Sequence, residues 1–149
     1  MKNIYIAFFA LFQVASLSFA GAKAQPNDHP TALSGYDAVS YLAEMKAKKG
    51  DMDISVKWMN ATWQFSSEAN KKAFLENPEK YAPAYGGSCA HAVRNGKTEA
   101  ANPACFVIEA ERLFLLASTK QVEAFKKDLK ANIEKADKNW LSLDYELKY

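Results

Sequence analysis

Hydrophobic and polar positions alternate along two stretches of this chain and recur at three- and four-residue spacing along others. Ile54, Val56 and Trp58 are interleaved with Ser55 and Lys57, and after Met59-Asn60-Ala61 the alternation resumes with Trp63 and Phe65. Successive side chains of a strand point to opposite faces, so this pattern predicts a β-hairpin with an aromatic face. A second hairpin is expected over 105–108 and 112–116, turning near Ala110-Glu111, with apolar residues on both faces as in a central pair. Ser66 or Ser67 is placed to cap a helix carrying Ala69, Ala73 and Phe74 on one side; Asn77-Pro78 stops it, and Pro78 opens a short turn ending at Tyr81. Ser118 caps a long final helix with Val122, Phe125, Leu129, Ile133, Ala136 and Trp140 on its apolar stripe. These elements predict an α+β fold: a small antiparallel sheet of two hairpins packed with short helices and a long C-terminal amphipathic helix. No internal repeat or low-complexity tract is legible.

The N-terminus changes the picture. Met1-Lys2-Asn3 precedes an apolar run from Ile4 to Leu17, interrupted by Gln13 and Ser16, and small residues follow. That is the pattern of a secretory signal, too short for a spanning helix of roughly 20 apolar residues. Cleavage after Ala20 or Ala24 fits, the second being preferred, so residues 1–24 are read as a signal peptide. Residues 25–32, with Pro26 and Pro30, read as a linker that includes an isolated His29; residues 33–143 form the domain and 144–149 a tail. The expected location is periplasmic or secreted, with no membrane attachment after cleavage. Losing Lys2 and Lys23 leaves 17 basic residues against 17 acidic ones. A neutral domain without a basic run lacks the electrostatic footprint that nucleic acid or an anionic membrane selects.

Two regions carry candidate chemistry. Pro83-Ala84-Tyr85-Gly86-Gly87-Ser88-Cys89-Ala90-His91-Ala92-Val93 clusters small residues around two glycines, as at a tightly packed helix start or a pocket floor. Cys89 and Cys105 are the two cysteines, and in an oxidising compartment their pairing is open. With two histidines, one of them in the linker, no Ser/His/Asp constellation is evident. Gly86-Gly87 lacks the lysine of a phosphate loop. Hydrolase and nucleotide-dependent classes are set aside, and no catalytic cycle is expected.

Five segments, in order, carry a resemblance: Gly35-Tyr36-Asp37-Ala38-Val39-Ser40-Tyr41-Leu42, Thr62-Trp63-Gln64-Phe65-Ser66-Ser67, Asn77-Pro78-Glu79-Lys80-Tyr81-Ala82-Pro83, Tyr85-Gly86-Gly87-Ser88-Cys89-Ala90, and Lys135-Ala136-Asp137-Lys138-Asn139-Trp140. Together they resemble the exported branch of the YHS-domain proteins over nearly the whole mature chain. Small YHS modules hold metal through cysteines, and the resemblance puts those three positions at Ser40, Ser66 and Asn70, while the Tyr-His pair falls on Trp58-Met59 and the serine is kept as Ser67. Serine and asparagine are poor ligands for ions that thiolates hold, so that site is expected to be absent and the domain to fold without zinc. For the exported branch the resemblance implies instead that the distinctive chalcogen position is Cys89, since some relatives carry selenocysteine in this domain. His91 and Cys105 depart from the residues usual there.

The expected function is binding of a soft metal ion, copper or zinc, or of a small ligand around Cys89. Tyr36, Asp37, Tyr85, Gly86 and Gly87 form the surrounding site, and Cys89 with His91 the metal ligand pair. Spacing restricts that pair, because residues two apart share a face on an extended segment but not on a helix. Met45, Met52 and Met59 offer soft sulfur only if brought to the same pocket; packing is their ordinary role. For Asp37 structural duty as a turn or helix cap is the favoured reading over a place in the site. Cys89 is expected to be the accessible thiol and Cys105 the buried one. The alternatives are a thiol redox protein using Cys89 and a structural or partner-docking domain. Asn60-Ala61-Thr62 also matches a glycosylation acceptor.

Overall fold

Both hairpins form where the alternation places them. In a computed structural model, which describes residues 29–143, β1 (Asp51–Trp58) pairs antiparallel with β2 (Ala61–Phe65), and β3 (Asn102–Glu109) with β4 (Arg112–Leu116). Each pair is a two-stranded sheet of its own, and the expected α+β class holds. The tips are the two-residue loops Met59-Asn60 and Ala110-Glu111, with all four residues left-handed at φ 50, 58, 48 and 59. This mirror-image turn matches the right-handed twist of the flanking strands. The segments read as a signal peptide, the start of the linker and the tail lie outside the described residues. Among the described residues no helix is long and apolar enough to cross a membrane.

Among the described residues six helices surround the hairpins: α1 (Ala38–Glu44), α2 (Glu68–Glu76), α3 (Pro78–Tyr81), α4 (Ala90–Arg94), α5 (Thr119–Lys126) and α6 (Leu129–Trp140). Side-chain oxygens of Asp37, Ser67, Asn77 and Ser118 accept the first free N–H groups of α1, α2, α3 and α5. The expected single final helix is thus two, α5 and α6. Asp128 is non-helical (φ −145, ψ 70), and the buried Asn132 reaches back to donate Nδ2–H to the Phe125 carbonyl at 2.8 Å. The apolar spacing runs unbroken across this joint, which is why periodicity alone conceals it. The fold also starts before residue 33. The Pro30 carbonyl accepts from Thr62 N–H at 2.9 Å, Thr31 pairs parallel with Thr62, and Ala32 is buried. Proline lacks a donor but keeps its acceptor, so it can serve at this edge.

The structure contains an internal repeat that the sequence pattern did not reveal. A 3-10 turn (Ala32–Gly35), α1, the first hairpin and α2 are followed by a second 3-10 turn (Ala84–Gly87), α4, the second hairpin and α5 in the same order. Both turns carry three consecutive left-handed residues, Leu33-Ser34-Gly35 and Tyr85-Gly86-Gly87. Both are followed by an isolated antiparallel bridge, Tyr36 with Lys49 and Ser88 with Ala100. The hairpin registers coincide down to the irregularity: Asp51 faces Phe65 and Ser55 faces Gln64, as Asn102 faces Leu116 and Phe106 faces Leu115. Ser67 and Ser118 cap corresponding helices. Matching the frames by element order and strand register pairs Ala32 with Ala84, Gly35 with Gly87, Ala38 with Ala90, Val56 with Val107 and Phe74 with Phe125. Few identities survive, and the spacing slips by one in the loop after the first helix, so direct inspection misses them.

Each half has its own core, and a third cluster joins them. Trp63, Phe65 and Phe74 pack in the first half, with the Phe74 ring centroid 4.9 Å from Trp63 and 5.1 Å from Phe65. Phe114, Leu116 and Phe125 occupy corresponding places in the second, where α6 adds Ala136 and Trp140. The other face of the second hairpin, Leu113, Leu115, Phe106 and Ile108, packs on Tyr41 of the first half. This explains its two apolar faces: one serves its own half and the other serves the seam.

Candidate functional site

Asp37 is the most heavily bonded side chain of the first half. Its Oδ1 accepts from the N–H groups of Val39 and Ser40 at 2.9 and 3.3 Å, capping α1. Its Oδ2 accepts from Ser66 N–H, Ser66 Oγ and Asn70 Nδ2 at 2.8, 2.7 and 2.7 Å. The Ser40 hydroxyl lies 2.8 Å from the Asp37 carbonyl and 2.9 Å from that of Lys46. Ser40, Ser66 and Asn70, the positions that the resemblance equates with thiolates, therefore gather on one buried carboxylate. Asp37 has no exposed surface, so it is a structural hub and not part of a solvent-facing lip. Tyr36 is engaged elsewhere, with the Lys49 ammonium 4.1 Å from its ring centroid.

Cys89 holds in the second half the place that Asp37 holds in the first. It precedes α4 as Asp37 precedes α1, and its N–H donates to Glu99 O as Asp37 N–H donates to Lys48 O. Its Sγ accepts from Ala117 N–H at 3.3 Å and lies 3.4 Å from Gln121 Oε1, where Ala117 and Gln121 correspond to Ser66 and Asn70. Gln121 Nε2 in turn donates to Glu99 Oε2 at 3.0 Å. The expected accessibility of Cys89 is not found: it is 0% exposed and Cys105 7%, both are free thiols, and both belong to one core cluster. Small neighbours around Cys89 let the backbone pack closely on the sulfur instead of opening it to solvent. A thiol reagent is accordingly expected to label neither cysteine rapidly in the native protein, with full labelling only on denaturation. Fast native modification of Cys89 followed by peptide mapping would overturn this placement.

His91 does not join Cys89 as a ligand pair by spacing, because both lie at the start of α4, two residues apart. Its Nδ1 is buried without a hydrogen-bond partner. Among the described residues no group of three His, Cys, Asp or Glu side chains is placed to hold a metal ion. Met45, Met52 and Met59 are surface residues and do not line the cleft described next. Asn60 is exposed at a hairpin tip, while Thr62 of the same acceptor motif is buried.

The glycine segment does line an open cleft of about 560 Å³ where the two 3-10 turns meet. Leu33 and Ser34 of the first turn and Tyr85, Gly86 and Gly87 of the second contribute to it, with Glu99 on the adjoining bridge strand. Tyr85 is held by a network that sequence reasoning did not anticipate. Its hydroxyl donates to Asp137 Oδ1 at 2.8 Å, and Arg112 donates to both oxygens of the same carboxylate at 2.7 and 3.0 Å. The Arg112 hydrogen bonds, aided by that of Tyr85, hold the Asp137 carboxyl below its ordinary range despite partial burial. Burial, followed by its bond to Asp137, pushes the Tyr85 phenol well above its usual value. The phenol therefore stays a neutral donor that fixes one wall of the cleft to α6.

Of the expected site residues, then, Tyr85, Gly86 and Gly87 share the cleft, Cys89 lies buried beside it in sequence, and Tyr36, Asp37 and His91 do not line it. Glu99 and Gln121 were missed, since a lone acid in a loop and a glutamine on a helix carry no sequence signal. No family model matches the chain, and no curated protein or solved structure is significantly similar to it.

Proposed function

We propose that this chain is an exported, YHS-type small-ligand-binding domain whose site is the cleft between the two left-handed turns. The observation that carries the reading is that residues 85–88, the small-residue run preceding Cys89, form one wall of an open 560 Å³ cavity. Concave sites of a few hundred Å³ with a largely apolar lining and a few polar groups are the common form of small-molecule sites. Strained backbone supports the same location: Leu33, Ser34 and Tyr85 hold positive φ without being glycine, and both turns lie at the cleft. Soft-metal binding at Cys89 and His91 has less support, because two ligands on one short helix leave a tetrahedral ion incomplete. Thiol redox chemistry has less support too, because Cys89 and Cys105 are both buried and thiol–disulfide exchange needs access to the sulfur.

Amide NMR titration of the exported chain tests this reading against its rivals. Addition of a mixed set of small cationic, neutral and anionic fragments is expected to shift the Gly86, Gly87 and Ser88 amides. Addition of Zn²⁺ or Cu⁺ is expected to leave Cys89 and His91 resonances unmoved. Metal-induced shifts at Cys89 and His91 without any fragment response at the glycines would transfer the function to the thiol.

A further inference from the structure

The two halves provide a comparison within one molecule. In the first half the left-handed turn is closed by Gln64: an added Cβ at Gly35 would come within 2.7 Å of Gln64 Oε1. The register position of Gln64 is taken in the second half by Leu115. An added Cβ at Gly87 meets only Pro83 Cγ, at an ordinary 3.6 Å. The notch that a side-chain carboxamide fills in the first half is therefore open in the second, and it opens into the cleft that both Gly87 and Leu115 line.

The charge of this cleft is one-sided. Among the described residues that line it, Glu99 is the one charged side chain, and none is lysine, arginine or histidine. Glu99 is exposed, and of its two oxygens Oε2 takes the Gln121 amide. Lys49, behind the first turn, is not in the lining; its ammonium donates to the Ser34 carbonyl at 2.8 Å and lies over the Tyr36 ring. The rest of the described lining mixes apolar and aromatic side chains, Pro83, Leu115, Tyr85 and Trp140, with the hydroxyl residues Thr31, Ser34, Ser88 and Thr98. An anionic ligand would meet the carboxylate with no base among the described lining residues to offset it, whereas an ammonium group gains a charge-assisted hydrogen bond.

We propose that the cleft takes a small organic cation, an amine with a compact apolar body, its ammonium on Glu99 and its body in the notch over Gly87. This rests on the reading of the cleft as the ligand site and narrows it. Three probes of nearly equal shape and different charge test it: 2-phenylethylamine, 2-phenylethanol and phenylacetate, titrated into the exported chain while the Gly86, Gly87 and Ser88 amides are followed. The amine is expected to bind about tenfold or more tightly than the alcohol, as one charge-assisted hydrogen bond supplies, and phenylacetate more weakly than either. Glu99→Gln, an exposed change that keeps a partner for Gln121, is expected to reduce amine affinity to that of the alcohol and leave the alcohol unaffected. Ala100→Phe, at an exposed cleft position, is expected to block all probes. Equal or tighter binding of the alcohol or phenylacetate overturns the cationic preference and leaves the cleft as the site. No shift at these amides with any probe overturns both.

Discussion

Asp37→Ala is expected to destabilise the protein by about 3–5 kcal/mol, the upper end for single substitutions, because several buried hydrogen bonds to one side chain are lost together. The size follows from what the alanine leaves behind. Five donors converge on the two carboxylate oxygens, and the α1 start, the end of β2 and the α2 helix each supply at least one. Three elements lose their common anchor, and the donors that met it lose their acceptor together. Asp37→Asn keeps a carbonyl for capping but brings an N–H₂ toward donors, so it is expected to recover only part of the loss. Urea unfolding of the two variants checks the claim. A loss below about 1 kcal/mol for alanine would show that the hub is not what holds these elements together.

Tyr41→Ala should act at the seam with a cost of about 3–5 kcal/mol, as for other large aromatic truncations in a core. Tyr41 has no exposed surface, packs its ring edge-on to Phe106 with centroids 5.0 Å apart, and sits with Leu113 and Leu115. Its hydroxyl donates to the Pro103 carbonyl at 2.9 Å. Tyr41→Phe isolates that bond and is expected to cost about 1 kcal/mol. The contrast is informative because the first half contains Trp58 and Trp63 and the second Trp140. If Tyr41 joins two cores into one cooperative unit, the alanine variant should unfold with separated transitions when single-tryptophan versions are compared. Coincident transitions with a small loss would place the coupling elsewhere.

The alternation around Trp58, Trp63 and Phe65 made the first hairpin legible, and the unalternating Leu113 to Leu116 run rightly implied burial on both faces. Serine and proline punctuation located α2, α3 and α5 because capping is a local interaction written in adjacent residues. What escaped was whatever depended on distant pairing. Asn132 reaching back to Phe125 splits the last helix without disturbing its apolar spacing. The duplicated frame is carried by register, caps and backbone handedness, which many sequences satisfy, and so leaves few identical residues. At the site, the glycines marked the cleft wall because its left-handed turn, at φ 58 and 78, favours them, but Cys89 drew attention for its chemistry and proved to be packed. Glu99 faces the cleft only because the Ser88 and Ala100 bridge brings its loop there, a contact no spacing rule encodes.

The repetition also bears on how the chain avoids errors while folding. Two hairpins of equal length, equal tip geometry and equal register are plausible partners for each other's strands, and such near-degenerate pairings are the usual origin of kinetic traps and of exchange between chains. The difference that separates them is on the face of each second strand turned away from its own half's core: Thr62 and Gln64 in one, Leu113 and Leu115 in the other. Only the leucine pair can complete the apolar cluster around Tyr41. A strand exchanged between hairpins would bury a hydroxyl and a carboxamide where hydrocarbon belongs, so the same dissimilarity that opened one cleft and closed the other distinguishes the correct assembly from its near copies.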